Sequence, residues 1–136
     1  MKDELVSYET AVLAKEKGFD LIIQYYYRVN YSRKENNYSL FDGLVVNKKL
    51  SDWNSVDHED FPQYSISAPT QSLLQRWLRE KHKIIISIKH RFLDSKGINI
   101  EYTNNSNMGE RNNLWYKTYE EALEIGLQES LKLIKT

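Results

Sequence analysis

The stretch Lys83-Ile-Ile-Ile-Ser-Ile-Lys-His-Arg-Phe92, followed by Leu93-Asp-Ser-Lys-Gly97 and Ile98-Asn-Ile-Glu-Tyr-Thr103, decides the fold. In its first arm Ile84, Ile86, Ile88, His90 and Phe92 fall on one face and Ile85, Ser87, Lys89 and Arg91 on the other. That period of two marks a strand with one buried face. The second arm alternates too, with Ile98, Ile100 and Tyr102 together. Asp94-Ser-Lys-Gly97 between them is turn chemistry. Pairing Phe92 with Ile98 keeps both apolar faces on one side and sets Lys89 across from Glu101, an opposite-charge pair contributing about 0.2–1 kcal/mol. A slip of one residue would turn one arm's isoleucines to water, so this register is expected.

Helices are expected on both sides of this hairpin. Before it, Pro69 suits a first helical position, where its missing N–H costs nothing. From there to about His82, Leu73, Leu74, Trp77 and Leu78 share one arc, with Ser72, Gln75, Arg76, Arg79 and His82 opposite. After it, Asn104–Asn113 reads as a loop and Leu114-Trp-Tyr-Lys117 as a short third strand. Thr118-Tyr-Glu-Glu121 is a capping box, in which hydroxyl and carboxylate satisfy free N–H groups at a helix start. The closing helix, running to about Ile134, carries Leu123, Leu127, Leu131 and Ile134 on one stripe, and Ile125 falls in its polar arc.

The first half is built from the same parts. Ser7 is a plausible N-cap for a short helix from Tyr8 to Lys17, and Gly18 can take the left-handed conformation that ends it. Leu21–Tyr31 is rich in β-branched and aromatic residues and reads as a strand. Arg33–Asn37 reads as a turn, and Tyr38–Val46 as a returning strand bent at Gly43. A loop of about twenty residues follows, unusually long for a compact domain. It holds Trp53 and Asp57-His58-Glu59-Asp60, and it either carries a functional edge or conceals a short strand near Gln63–Ile66. The expected fold is α+β. It is a single domain over 1–136, an antiparallel β-sheet with N-terminal, central and C-terminal helices packed on it and an α-β-β-β-α order in the second half.

Composition narrows the function classes. The 136 residues fit one domain. Nineteen Lys and Arg balance nineteen Asp and Glu, which argues against a strongly basic nucleic-acid protein. The absence of cysteine excludes disulfides, thiolate metal sites, Fe–S clusters and a Cys nucleophile. No apolar run approaches the roughly 18 residues of a membrane span, and MKDELVSYET lacks a signal-peptide core, so a cytoplasmic protein is expected. Charge is uneven: residues 1–68 hold 8 Lys/Arg against 11 Asp/Glu, and residues 69–136 hold 11 against 8.

Three segments carry a resemblance: Ser7–Gly18, Ala68-Pro-Thr-Gln-Ser-Leu-Leu-Gln-Arg-Trp-Leu-Arg-Glu-Lys-His82, and Thr118-Tyr-Glu-Glu-Ala-Leu-Glu-Ile-Gly-Leu-Gln-Glu-Ser-Leu-Lys-Leu-Ile134. Together they resemble a family of small phage- and prophage-type bacterial proteins without an assigned activity. The resemblance implies a soluble accessory protein and carries over no catalytic residue. The helix–strand–strand–strand–helix order of residues 69–134 is also similar to a double-stranded-RNA-binding domain. Glu120-Glu121 stand where such a domain holds phosphate with basic residues, so its recognition chemistry is missing.

Three functional readings follow. The first is a non-enzymatic accessory protein acting by protein–protein contact or self-association, through tyrosine-rich strand edges at Tyr25, Tyr26, Tyr27 and Arg28 and through Ile125. The opposing view of those tyrosines is a core with hydroxyls at its rim. The second is a nonspecific nucleic-acid backbone binder using Arg76, Arg79, His82, Lys83, Lys89 and Arg91, within the basic window Arg76–Lys96. The third is an enzyme around the acidic loop, ranked last. Adjacent Asp57–Asp60 side chains rarely converge on one ion, His90 reads as a neutral hydrogen-bonded strand residue, and no phosphate loop, nucleophile elbow or zinc-protease motif occurs. No catalytic residue, metal or cofactor is expected, and no membrane partner.

Overall fold

The fold is known from a computed structural model, which describes residues 4–32, 37–55, 63–93, 97–104 and 116–135. The class is α+β with antiparallel strands, and the chain forms two compact units, Leu5–Pro69 and Thr70–Thr136 with Met1–Glu4. Each repeats one plan, a helix followed by antiparallel strands.

In the Leu5–Pro69 unit, helix α1 spans Tyr8–Glu16. Ser7 caps it as expected, its Oγ accepting from Thr10 N–H at 3.3 Å. Its far end is closed by Gly18 at φ 90°. Gly18 N–H donates to Lys15 O and Phe19 N–H to Ala14 O, the paired bonds of a Schellman stop, and Phe19 is buried behind them. Strands β1 (Ile23–Ser32), β2 (Asn37–Ser51) and β3 (Gln63–Ser67) form one sheet in the order β2-β1-β3. The strand concealed in the long loop is therefore real, and β2 runs five residues beyond Val46. Its extra length is taken up by two register shifts against β1, at Phe41–Asp42 and at Asn47–Leu50. The acidic run Asp57–Asp60 and most of the turn Arg33–Asn37 lie outside the described residues.

In the other unit, helix α2 spans Gln71–His82 and starts two residues later than Pro69 suggests. Thr70 is the N-cap, accepting from Leu73 N–H at 3.2 Å, which leaves Pro69 outside the helix. Strands β4 (Ile86–Leu93) and β5 (Gly97–Asn104) form the hairpin in the expected register, with Lys89 opposite Glu101 and Phe92 opposite Ile98. Ile84 and Ile86 are buried while Ile85, Ser87 and Lys89 are exposed, the alternation that the sequence dictates. Of the third strand expected at Leu114–Lys117, Tyr116 makes a bridge, and 114–115 lie outside the described residues, as does the loop 105–113.

Helix α3 (Tyr119–Lys132) packs on β4, β5 and α2. Leu123, Leu127, Leu131 and Ile134 are buried as expected, and so is the row Ala122, Gly126 and Ser130. Half the helix circumference is thus covered, because it faces both a hairpin and a second helix. The capping box is partly formed. Thr118 Oγ1 accepts from Glu121 N–H, but the Glu121 carboxylate accepts from Lys117 N–H rather than from the cap residue.

Candidate functional site

The three tyrosines fall on the central strand of their sheet. Tyr25, Tyr26 and Tyr27 pair with Val46, Val45 and Leu44 of β2, and Tyr26 and Tyr27 also pair with Ser67 and Ile66 of β3. Their backbone therefore presents no strand edge, which corrects the expectation of an edge there. All three side chains are half-buried, and those of Tyr26 and Tyr27 are occupied within the unit. The Tyr27 hydroxyl donates to Val6 O at 2.8 Å, and its ring meets Tyr8 edge-on at 5.5 Å. On the opposite face Tyr26 lies 4.4 Å from the Trp53 ring, and Trp53 Nε1 donates to Ile23 O at 2.7 Å. Both faces of β1 carry tyrosine because each has its own cover, α1 on one side and the Asp52–Ser55 turn on the other. Arg28 is half-buried and also has interactions of its own.

The edges of that sheet differ sharply. Ala68 N–H donates to Tyr25 O, so by the alternation of antiparallel pairs Ser65 and Ser67 turn their backbone groups away from β1. Both are capped by side chains. Lys15 Nζ donates to Ser65 O at 3.0 Å, and Asn54 Oδ1 accepts from Ser67 N–H at 2.8 Å. Asn54 Nδ2 also donates to Phe19 O at 2.9 Å, so one amide ties β3 to the end of α1. Burial pushes the Lys15 ammonium below its ordinary pKa, with the Asp52 carboxylate opposing. The β3 edge is thus blunted. The outer edge of β2 pairs with no strand among the described residues. By the same alternation Val45 faces β1, and Leu44 and Val46 turn their N–H and C=O groups outward. Leu50 at the end of β2 and Ile22 just before β1 are exposed at 57% and 65%.

The basic residues divide. Arg76 and Arg79 lie three apart on one face of α2, and Lys83 is the residue that ends the helix, in the left-handed conformation. Arg76 is neutralised by Glu80 at 3.2 Å, and Lys83 Nζ donates to Glu80 O. His82 is half-buried, its ring 4.6 Å from Trp77. Burial, then Lys81, pushes its pKa below the ordinary histidine value, so it adds no cation at neutral pH. Lys89 is exposed on the hairpin face opposite the buried isoleucines on which α3 packs. The side chains of Arg91 and His90 lie outside the described residues. Ile125 is half-buried on the far side of α3.

Sequence reasoning missed Lys15, Asn54 and the glutamines. Gln71 is buried, with Nε2 donating to Glu120 O at 3.0 Å and Glu124 Oε2 at 2.8 Å. Gln75, assigned to the outer face of its helix, donates to Ile86 O at 3.1 Å. Composition offers no signal for this, because a surface amide and a bracing one are the same residue. Among the described residues no three His, Asp or Glu side chains group to hold a metal ion, and no helix is long and apolar enough to cross a membrane. No family model, curated protein or solved structure matches the chain.

Proposed function

We propose that this chain is a small non-enzymatic accessory protein of the phage and prophage type, cytoplasmic, working by protein–protein contact and self-association. The observation that supports this reading is the asymmetry of the Leu5–Pro69 sheet: fifteen residues of β2 at an edge open on its outer side among the described residues, against a β3 edge capped by Lys15 and Asn54. A row of free N–H and C=O groups is a template for adding a strand from another chain. The exposed Ile22 and Leu50 lie near the same end of the sheet and add apolar contact area. Sedimentation equilibrium from about 1 to 200 µM, a span covering weak to moderate association, tests the reading. A concentration-dependent rise in mass above 16.2 kDa is expected. A single 16.2 kDa species throughout counts against self-association.

A further inference from the structure

We infer that the last turn of α2 is a proton-operated latch: neutral His82, packed on Trp77, holds the helix end closed, and protonated His82 opens it. The latch lies within the Thr70–Thr136 unit and is independent of self-association. Three observations meet at this turn. The His82 ring lies 4.6 Å from the buried Trp77 ring and edge-on to it at 68°. His82 Nε2 is shut off from solvent and has no hydrogen-bond partner. Lys83, the next residue, stands in the left-handed region at φ 57°, where a side chain with a Cβ is strained. The backbone therefore resists this turn, and a few contacts hold it. Ile84 N–H donates to Leu78 O at 3.1 Å, Lys83 N–H donates to the same carbonyl, and Lys83 Nζ donates to Glu80 O. The His82–Trp77 contact is the one among them that a proton can change.

In an imidazolium both ring nitrogens are donors, whichever tautomer preceded it. Protonation thus leaves a charged N–H at Nε2 with no acceptor, and a buried donor without a partner costs most when it is charged. The indole cannot absorb the charge in place. Lys81 Nζ already lies 5.7 Å from the Trp77 centroid, and a second cation on the same ring is repelled by the first. No described acid compensates. On α2 itself Glu80 is held by Arg76. On α3, which packs on α2, Glu120 and Glu124 stand beside Gln71 at the opposite end of α2, Glu121 accepts from Lys117 N–H, and Glu129 pairs with Lys132. On β4 the exposed charge is Lys89, another cation. Burial first, and Lys81 second, lowers the His82 pKa in the closed turn. Opening returns the ring to water, where its pKa is about 6.5. Below that pH the open form takes up the proton first, so acid draws the turn open until the closed form protonates as well. Opening uncovers Trp77, an apolar surface that the closed turn hides.

Amide hydrogen exchange of the full chain reads the latch, followed by NMR between pH 7.5 and 5.5 and expressed as protection over each amide's intrinsic rate. The Ile84 protection factor should fall about tenfold on acidification, the scale set by a stranded charged donor. Leu74 N–H, bonded to Thr70 O at the start of α2, should keep its protection and serves as the internal reference. His82→Gln should abolish the fall at Ile84. Lys81→Gln removes the cation already on Trp77 and should reduce it. Far-UV circular dichroism checks that each variant folds. Ile84 protection that is independent of pH in the parent overturns the latch, as does an equal fall in His82→Gln. A fall shared by Leu74 would report loosening of the whole unit and overturns it too. So does a nuclear Overhauser contact between His82 and Trp77 that survives protonation of the imidazole.

Discussion

Replacing Asn54 by alanine should cost the Leu5–Pro69 unit about 3 kcal/mol. The side-chain amide donates to Phe19 O and accepts from Ser67 N–H at 2.9 and 2.8 Å. Phe19 and Ser67 are both buried, so water cannot replace either bond. Two lost bonds account for about 2 kcal/mol, and the stranded Ser67 N–H adds about 1 kcal/mol or more. With a urea m-value of about 1.5–2 kcal/mol per M for a chain of this size, the midpoint should fall by about 1.5–2 M. Asn54→Asp separates the two bonds. Its carboxylate still accepts from Ser67 N–H but opposes the Phe19 carbonyl at pH 7. Near pH 4 a protonated carboxyl can donate again, so the deficit of this variant against the parent should shrink on acidification. Amide hydrogen exchange at Ser67 reads the bond directly and should accelerate in the alanine variant. An Asn54→Ala midpoint within about 0.3 M of the parent, with Ser67 still protected, would refute the bracing role.

Three further outcomes are expected. Lys83 ends α2 at φ 57°, a left-handed conformation that strains residues with a Cβ, so Lys83→Gly should be more stable than Lys83→Ala by about 1 kcal/mol; the reverse order in thermal melts would show no such strain. Gln71→Glu should destabilise by about 2 kcal/mol at pH 7, because it removes the donor and sets a carboxylate against Glu124, and adding Glu124→Gln should recover part of the loss; equal denaturation midpoints for parent and single variant would contradict this. His82 is held neutral by burial and by Lys81, so its folded pKa lies below its unfolded value near 6.5. As pH falls below about 6.5 the unfolded imidazole takes up its proton first, and stability drops until the folded group protonates too. His82→Asn should therefore lose less stability than the parent between pH 7.5 and 5.5. Parallel pH profiles would remove His82 as a contributor.

Local periodicity was enough for some elements, and the reason is that each is specified by residues close in sequence. The β4–β5 register follows from two alternations joined by one turn. The Ser7 and Gly18 boundaries of α1 follow from a hydroxyl and a missing Cβ. The Leu123–Leu131 stripe follows from a 3.6-residue repeat. Even at this level Pro69 misleads by two residues, because Thr70 beside it offers a capping oxygen that proline lacks and Gln71 becomes the first helical residue.

What the tertiary structure alone decided depends on residues far apart in the chain. Tyr25–Tyr27 could have stood at an interface or in a core. The choice was made by β3 and β2 pairing on both sides of β1, and by Trp53 and Tyr8 arriving on opposite faces. Asn54, Gln71 and Gln75 look like any surface amides until a buried carbonyl or amide, brought in from a distant element, needs a partner. The basic residues read as one patch in sequence, yet alternation along β4 turns Lys89 to the hairpin face away from α3, and Glu80 neutralises Arg76. Sequence pattern determines which face of an element is apolar; only long-range pairing determines what covers that face and which edge is left open.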